Sequence, residues 1–342
     1  MIDIKNLVRP NILALEAYSS ARSEFTGKEG IFLDANENPF GVLNRYPDPN
    51  QNELKNKLAK LKSVTPENIF IGNGSDEVID LAIRIFCEPG KDKALTFSPT
   101  YGMYQVSAGI NNIELIQQPL NDEFQIDLDA LKPYFSDENL KLIFICSPNN
   151  PTGNLIDGKT IEFIINNFKG LVIVDEAYVD FSDEESMIKK IKQFNSLIVS
   201  QTFSKAWGLA AARVGTAYAS EEIISLFNKV KPPYNISELN QKSAIEALDN
   251  IENYHDRISI ILSEKKRLEG ALEKLDVVKK IYPSAANFIL IEVENADQLY
   301  TTLVEQNIII RNRNKQIKNC IRISIGTPQE NNKLIKAIKN TI

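Results

Sequence analysis

The sequence predicts an α/β protein with a mostly parallel central sheet flanked by helices, followed by a smaller α+β domain. Short continuous apolar runs alternate with helical patterns through the first two thirds of the 342 residues, and strands buried on both faces are typical of parallel sheets. Polar motifs directly follow several of these runs, and ligands of such sheets bind beyond the carboxyl ends of the strands. The C-terminal third changes to a mixture of strands and helices.

Six apolar runs predict the strands of the large sheet, at residues 69–71, 94–97, 113–116, 142–146, 171–174 and 197–199. Between the first two runs, apolar residues from Val78 to Phe86 recur at helical spacing and predict a helix. The segment Lys231-Pro232-Pro233 suits neither a helix nor a strand. It therefore predicts a domain boundary.

Beyond this boundary a long helical pattern covers residues 237–275, and further helical patterns and strands follow it. The alternation in residues 321–325 places Arg322 and Ser324 on one face of a strand and the isoleucines on the other. The predicted organisation is an N-terminal segment at 1–40 that contacts the active site and the small domain, a large domain at 41–233 and a small domain at 234–342. The other predicted elements are strands at 287–293 and 308–311 and helices at 296–306 and 329–339.

Composition excludes several classes of function. Hydrophobic residues make up 43% and charged residues 25%, as in globular proteins, and the net charge of -6 offers no basic surface for nucleic acid. No apolar stretch reaches 18 residues, and the first eleven residues lack the apolar core of a signal peptide. Three cysteines without CxxC spacing argue against a disulfide framework and a zinc site. We expect a cytoplasmic protein with no metal, membrane or nucleic-acid partner.

The chain contains a single histidine, His255, within a charged helical pattern. Such a position is typical of a solvated helix face. A Ser-His-Asp triad, a Cys-His pair and a multi-histidine metal site are then excluded. Any proton carrier near neutral pH must be a Lys, Glu, Asp or Tyr side chain with a shifted pKa.

Lys205 is the strongest candidate for a reactive side chain. It follows a predicted strand and lies between the hydroxyls of Thr202 and Ser204 and the guanidinium of Arg213. A surface turn is the alternative, but the apolar segment that begins at Trp207 disfavours it. A desolvated lysine is a nucleophile toward carbonyls, and hydroxyls and guanidinium groups bind phosphate. An aldehyde acceptor and a phosphate on one ligand suit pyridoxal phosphate.

Asp175 lies at the end of a buried apolar run and needs a partner, because an unpaired buried carboxylate is costly. A cationic pyridinium nitrogen is such a partner, and the carboxylate would keep that ring an electron sink. Tyr178 and Asn150, the latter in a Pro- and Gly-marked turn, could both donate to the phenolate oxygen of the ring. The alternative is that Asp175 caps the next segment or pairs with an arginine.

The segment GNGSDE lies between a predicted strand and a predicted helix. The backbone N–H groups of Ser75 and Asp76 at the helix start form an anion site, which is compatible with Ser75 acting as an N-cap. The segment is neither GxGxxG nor a P-loop, which argues against a dinucleotide or nucleotide. Tyr101 could stack on a flat ring as a lid, or it could be a core tyrosine.

Ten segments, in this order, resemble the class I and II pyridoxal-phosphate-dependent aminotransferases over nearly the whole chain. The NPTG turn, the Asp-x-x-Tyr pair and the lysine segment mark the wide family, whereas RYPDP, KPPYN and R-x-x-N-K-Q are similar to its histidinol-phosphate aminotransferase branch. The resemblance implies fold type I, pyridoxal 5'-phosphate held by the large domain, and a homodimer with shared active sites. The segments are LDANENPFG, RYPDPNQ, GNGSDE, SPTYGMY, SPNNPTG, VDEAYVDF, TFSKAWGLAAARVG, KPPYNIS, RNRNKQ and CIRISIGT.

The resemblance assigns cofactor roles to individual residues. Lys205 corresponds to the lysine that binds the cofactor aldehyde, Asp175 to the partner of the pyridine nitrogen, and Asn150 and Tyr178 to the donors at the ring hydroxyl. Thr202 matches a position whose side chain contributes less uniformly. The expected phosphate ligands are Ser75, Asp76, Ser204 and Arg213, with Tyr46 from the partner subunit.

The resemblance also assigns substrate roles. Arg322 corresponds to the arginine that binds the α-carboxylate, and Arg311 to the one that binds a substrate phosphate, although Arg313 lies two residues away and could take that role. Asn36 matches a substrate-binding position. Tyr18 matches a phosphate-contacting tyrosine, but an alanine precedes it where proline is usual in the family.

The implied reaction is a reversible transamination, in which L-glutamate and imidazole-acetol phosphate give 2-oxoglutarate and L-histidinol phosphate. Threonine-phosphate decarboxylation and aromatic amino-acid transamination are the alternatives on the same fold. A non-catalytic regulator would be expected to lack Lys205 or Asp175, and a nicotinamide dehydrogenase would be expected to carry GxGxxG.

Overall fold

The computed structural model describes residues 2–18 and 30–340. Its main feature is a seven-stranded sheet, in which six strands run in one direction and one runs against them. The predicted mostly parallel sheet is therefore confirmed. The strands, in chain order, are β1 (Ile69–Asn73), β2 (Lys93–Ser98), β3 (Glu114–Pro119), β4 (Leu140–Cys146), β5 (Leu171–Asp175), β6 (Leu197–Thr202) and β7 (Val214–Tyr218).

The sheet has the strand order β1-β7-β6-β5-β4-β2-β3. Strand β7 is the antiparallel member, and the sequence analysis missed it because its run, VGTAY, is short and only partly apolar. All five of its residues are nevertheless buried. A Cβ added to Gly215 would lie 2.3 Å from the backbone N of Ser75, so this strand needs glycine where it passes under the next helix.

Apolar residues alternate between two cores, one on each face of the sheet. In β4, Ile143 and Ile145 belong to one core, whereas Leu142 and Phe144 belong to the other. The central strands β4, β5 and β6 are thus buried on both faces, which is why their apolar runs are continuous. The helices of this part are α1 (Pro10–Ala14), α2 (Asn52–Lys62), α3 (Ser75–Phe86), α4 (Met103–Ile110), α5 (Leu128–Leu131), α6 (Gly158–Asn167) and α7 (Glu221–Val230).

The C-terminal part contains a four-stranded antiparallel sheet with its own apolar core. Its elements are α8 (Glu238–Asp249), α9 (Ile251–Leu272), β8 (Val278–Tyr282), β9 (Phe288–Val293), α10 (Ala296–Glu305), β10 (Arg311–Asn312), β11 (Cys320–Ser324) and α11 (Pro328–Lys339). The strand order is β10-β11-β9-β8.

Two predicted elements of this part were wrong in detail, and one strand was missed. The helical pattern at 237–275 is two helices, because Asn250 leaves helical geometry at φ -114° and ψ 55°. Strand β8 was missed because its sequence, VKKIY, is polar and half-exposed. The strand predicted at 308–311 shares only Arg311 with the observed two-residue strand Arg311–Asn312.

The topology brings the polar motifs to one edge of the large sheet. Strands β1, β2, β4, β5 and β6 end at this edge, and the antiparallel β7 begins there. Asp175 and Thr202 are the last residues of β5 and β6, and Arg213 immediately precedes β7. Within the described residues, no helix is long and apolar enough to span a membrane.

Candidate active site

A cavity of ≈ 750 Å³ opens at this edge and extends to the small sheet. Most of the side chains predicted for the site line it. Their common feature is a position just past a strand end, or on strands β10 and β11. They are Ser75, Asp76, Tyr101, Asn150, Asp175, Tyr178, Thr202, Ser204, Lys205, Arg213, Arg311 and Arg322.

Lys205 lies on the floor of the cavity, in the turn after β6. Its ammonium group is 5.5 Å from the centre of the Tyr178 ring. Partial burial, with a further contribution from the nearby charge of Arg322, lowers the pKa of Lys205. A lowered pKa increases the neutral, nucleophilic fraction of an amine, so the position suits covalent capture of an aldehyde.

Asp175 is 3% exposed and ends strand β5. Its Oδ1 accepts from the backbone N–H of Ala177 at 3.1 Å, and its Oδ2 accepts from the hydroxyl of Tyr104 at 2.8 Å. Burial raises its pKa to about 6, although both hydrogen bonds oppose that rise. Across the part of the chain that the structure describes, no lysine or arginine forms an ion pair with it. Asp175 therefore has no cationic partner among the described residues. The sequence analysis expects the pyridinium nitrogen of a ligand to take this role.

Asn150 and Tyr178 converge on one point of the cavity wall. The amide of Asn150 donates to the Tyr178 hydroxyl at 3.3 Å, and its carbonyl oxygen accepts from the guanidinium of Arg322. Burial raises the pKa of Tyr178, so its hydroxyl stays protonated and can donate. The two groups can together bind a phenolate oxygen.

The far end of the cavity is built to hold an anion. Helix α3 begins here at Ser75, with its first-turn N–H groups free of helical partners. Arg213 adopts left-handed geometry at φ 52°, and its guanidinium approaches the Ser204 hydroxyl at 3.4 Å and Asp76 at 3.3 Å. A Cβ on Gly74 would lie 2.5 Å from that guanidinium. Glycine therefore leaves the space that an anion and its ligands require.

Two further hydroxyls complete this end. The Thr202 hydroxyl lies 3.0 Å from that of Ser204 and accepts the Ser204 N–H at 3.1 Å. The Tyr101 hydroxyl donates to the Asp76 carboxylate at 3.0 Å, which fixes its ring over the cavity. Tyr101 is half-buried, so it is a wall residue and not a core tyrosine.

Three arginines from the C-terminal part of the chain line the same cavity, namely Arg311, Arg313 and Arg322. Arg322 lies over the Phe288 ring at 5.1 Å, and Arg311 pairs with it across strands β10 and β11. Burial and the charges of its two neighbours lower the pKa of Arg313 to about 10. The Nε atoms of Arg313 and Arg322 are buried and lack a hydrogen-bond partner within the described residues. This cluster of like charges suits a ligand that carries more than one anionic group.

Three predicted residues lie outside this cavity. Tyr46 and Asn36 line a separate groove of ≈ 370 Å³, where Tyr46 stacks on Tyr234 with ring centres 4.3 Å apart. Tyr18 is 73% exposed at the end of the first described range. Within one chain the structure does not bring these residues to the site.

Sequence reasoning missed several residues of the site. Tyr104 follows Tyr101 by three residues within SPTYGMY, and its hydroxyl contacts Asp175, which is 71 residues away along the chain. Thr100 and Gln316 also line the cavity. The helical spacing of the two tyrosines was the one signal that could have suggested Tyr104. His255 is exposed, as its charged helix predicted.

The residues present fit pyridoxal phosphate. An amine of lowered pKa, a buried carboxylate without a cation, a pair of donors and an anion cradle lie around one cavity. They match, in turn, an aldehyde, a pyridinium nitrogen, a phenolate oxygen and a phosphate. Fold and site thus define an α/β enzyme that holds a phosphorylated aldehyde cofactor on a lysine.

The chain belongs to the aminotransferase class I and II family, whose model matches residues 25–338. Pyridoxal phosphate is the cofactor of this family and of this chain. Several similar proteins are histidinol-phosphate aminotransferases. The histidinol-phosphate aminotransferase of Christiangramia forsetii is 51% identical over 342 residues, which cover 98% of this chain and 97% of the relative. That of Parabacteroides distasonis is 50% identical and covers 99% of both chains.

Solved structures agree with the fold. The crystal structure of the histidinol-phosphate aminotransferase from Clostridium acetobutylicum matches with a TM-score of 0.80 and 25% identity. The match covers 90% of this chain and 97% of that one. The predicted family and fold are therefore confirmed.

Proposed function

We propose that this enzyme is a histidinol-phosphate aminotransferase. It transfers the amino group of L-glutamate to imidazole-acetol phosphate, giving 2-oxoglutarate and L-histidinol phosphate, and the reaction is reversible. The observation that carries the proposal is the cluster of Arg311, Arg313 and Arg322 on the small-domain wall. It offers separate guanidinium groups for the two carboxylates of L-glutamate, and one of them can bind the phosphate of imidazole-acetol phosphate in the other half-reaction.

Bound pyridoxal phosphate supplies an aldehyde for amines and a cationic ring that withdraws electrons. Lys205 would hold it and, once displaced by substrate, would take a proton from the substrate α-carbon and deliver it to the former aldehyde carbon of the cofactor, so one residue would act as base and acid. Asp175 holds the proton on the ring nitrogen. Asn150 and Tyr178 hold the ring hydroxyl, and Ser75, Asp76, Thr202, Ser204 and Arg213 surround the phosphate. Tyr101 covers the ring.

The arginines on the small-domain wall of the cavity bind the substrates. Arg322 grips the α-carboxylate, and its contact with Asn150 joins the substrate side of the cavity to the cofactor side. Arg311 grips the phosphate of the acceptor or the distal carboxylate of glutamate, with Tyr18 and Asn36 on the opposite side. Since a guanidinium fork accepts either anion, one site can serve both substrates.

The direct test is a pair of half-reactions on the purified holoenzyme. We expect glutamate to convert the lysine-bound cofactor to its amine form, with loss of the near-visible absorbance. Imidazole-acetol phosphate is then expected to restore it. Threonine phosphate and aromatic amino acids are the comparison substrates. Restoration by an aromatic oxo acid but not by imidazole-acetol phosphate, or release of CO₂ from threonine phosphate, would replace the proposed reaction with one of the alternatives.

Arg311→Gln tests recognition of the acceptor phosphate. We expect KM for imidazole-acetol phosphate to rise at least about 10-fold, since a charge-assisted hydrogen bond to phosphate contributes about 1.5–3 kcal/mol. For an acceptor that lacks both a phosphate and a distal carboxylate, kcat/KM is expected to stay unchanged. Steady-state kinetics of Arg311→Gln and Arg313→Gln, measured side by side, show which of the two arginines binds the substrate phosphate. If only the second variant shows the effect, the phosphate belongs to Arg313.

We propose a homodimer with shared active sites. The segment before α2 supports it, because it exposes apolar side chains: Ile31, Leu33, Phe40, Val42 and Leu43. Tyr46 follows in the same segment and lines a separate groove, not the cavity of its own chain. In the dimer it reaches the cofactor phosphate of the neighbouring site.

Phe40→Asp combined with Val42→Asp is expected to raise the dimer dissociation constant at least about 100-fold, because burying one such side chain contributes about 1.5–3 kcal/mol. These residues are 82% and 99% exposed in the single chain. Sedimentation velocity measures the change. Ile309→Asp is the control, since Ile309 is 73% exposed on the small domain. An unchanged dimer in the double variant would remove this segment from the interface.

We further propose that residues 41–233 form the large cofactor domain, 234–342 the small domain and 1–40 a segment that contacts both the site and the small domain. The two sheets, within 69–218 and 278–324, support this division. Ile236 and Ala244 pack into the core of the large sheet, so the first helix after the boundary joins the domains. The three free, buried cysteines suit the reducing cytoplasm, where we place the enzyme.

A further inference from the structure

We propose that Tyr104 is a positioning residue that holds Asp175 in place and sets how strongly this carboxylate retains a proton. The inference rests on the proposed pairing of Asp175 with the cofactor ring nitrogen. Neither the motifs nor the family resemblance pointed to this tyrosine. It acts through Asp175, because its hydroxyl contacts the carboxylate, and it is not among the residues that line the cavity.

Tyr104 is locked by its surroundings. It lies on helix α4, is 0% exposed, and stacks on Phe144 with ring centres 5.0 Å apart and planes at 16°. Tyr101 meets it edge-on at 5.7 Å. A ring held from both sides cannot swing away, so its hydroxyl points permanently at Asp175 Oδ2, 2.8 Å away.

Asp175 receives few other stabilising contacts. The Ala177 N–H reaches its Oδ1, and among the described side chains Tyr104 is the one that donates to it. Of the charged groups that face it, Asp76 raises its pKa and Lys205 lowers it. Its other titratable neighbours, Cys146 and Tyr178, have raised pKa values because of burial and stay neutral. The phenol is therefore the main side chain that stabilises the ionised carboxylate.

The hydroxyl serves the reaction in two ways. Burial raises the pKa of Tyr104 itself, so it remains a donor across the working pH range. The Tyr104 hydroxyl fixes the plane of the Asp175 carboxylate because it donates to Oδ2. It also favours the ionised carboxylate, so the proton between Asp175 and the cofactor ring would stay on the ring nitrogen. Without this hydroxyl, the carboxylate would hold that proton more tightly and the ring would withdraw electrons less well.

Tyr104→Phe tests the first half of the inference in cofactor-free protein. In the wild type, the free energy of unfolding falls as pH rises from about 4 to about 6, because folded Asp175 retains a proton that the unfolded chain has released. In Tyr104→Phe the carboxylate loses a charge-assisted hydrogen bond, so the pKa of folded Asp175 should rise. The pH at which the fall in stability ends, called here the pH limit, is expected to move up by about one unit. Urea unfolding between pH 4 and 8 measures it.

Tyr218→Phe is the matched control. Tyr218 is 1% exposed on the same sheet, and its burial also raises its pKa, but Asp175 is not among the groups that influence it. We expect this variant to change the overall free energy of unfolding without moving the pH limit. Equal behaviour of the two variants would overturn the inference. Replacing Tyr104 with 3-fluorotyrosine makes the phenol a stronger donor, so the pH limit should then move down. This variant keeps the ring, and it tests the role of the hydroxyl even if Tyr104→Phe impairs folding.

The second half is tested in the holoenzyme with ¹⁵N-labelled pyridoxal phosphate. In Tyr104→Phe the ring-nitrogen resonance is expected to move toward the unprotonated form, and kcat to fall about 10-fold with KM for glutamate unchanged. Tyr218→Phe should leave the resonance unmoved. A shifted pH limit with an unmoved resonance would uphold the contact but overturn the pairing of Asp175 with the ring. An unshifted limit would overturn the role of Tyr104 whatever the resonance does.

Discussion

Lys205→Ala is expected to lower kcat for transamination by at least about 10⁴-fold, because the proposed mechanism gives this one side chain both the covalent anchor and the proton transfer. The cofactor should still bind, since Arg213, Ser204 and the start of helix α3 form the proposed phosphate site. The purified variant should therefore contain bound pyridoxal phosphate that dissociates slowly during gel filtration. This cofactor should lack the absorbance of the lysine-bound form.

Absorbance spectra, cofactor content after gel filtration and single-turnover kinetics measure this effect. Lys265→Ala is the control, because Lys265 is 9% exposed and donates to the carbonyls of Ser284 and Ala286 on the small-domain side. It should lose stability but keep the absorbance and the chemistry. Near-wild-type turnover by Lys205→Ala would remove this lysine from the mechanism.

Asp175→Asn is expected to act in opposite directions on stability and on activity. The pKa of Asp175 is raised from 3.8 to about 6. Between these values the unfolded chain is ionised while the folded chain keeps the proton, so the stability of cofactor-free protein falls as pH rises through this window. The loss amounts to about 3 kcal/mol above pH 6. Asparagine removes the buried charge, so the cofactor-free variant should be more stable than the wild type at pH 7.

The same change should lower kcat by about 10³-fold or more, since a neutral amide does not keep the ring nitrogen protonated, and it should weaken cofactor binding. Urea unfolding at pH 5 and 7 and cofactor titration measure the two effects. Glu176→Gln is the adjacent control: Glu176 is also buried, but Ser186, Met187 and Gln201 donate to it. That variant should lose stability. A destabilised cofactor-free Asp175→Asn would show that the native carboxylate is already paired.

The sequence predicted much of this site because the relevant side chains are adjacent to strand ends along the chain. A continuous apolar run marks a buried strand, and the next polar residue then lies at the sheet edge whatever the rest of the chain does. Asp175 after 171–174 and Lys205 after 197–199 are such cases. Strands with mixed composition, such as β7 and β8, escaped prediction because their burial comes from their neighbours.

By itself, then, the sequence determined the parallel sheet, the family and the residues that meet at the strand ends, because local apolar periodicity and short motifs encode them. Only the tertiary structure decided which groups touch. The contact of Tyr104 with Asp175 spans 71 residues. The guanidinium of Arg213, whose backbone is left-handed, contacts Asp76 across 137 residues. Tyr46 lines a groove apart from the cavity of its own chain. Such contacts depend on how helices and strands pack, and no local pattern in the sequence specifies that.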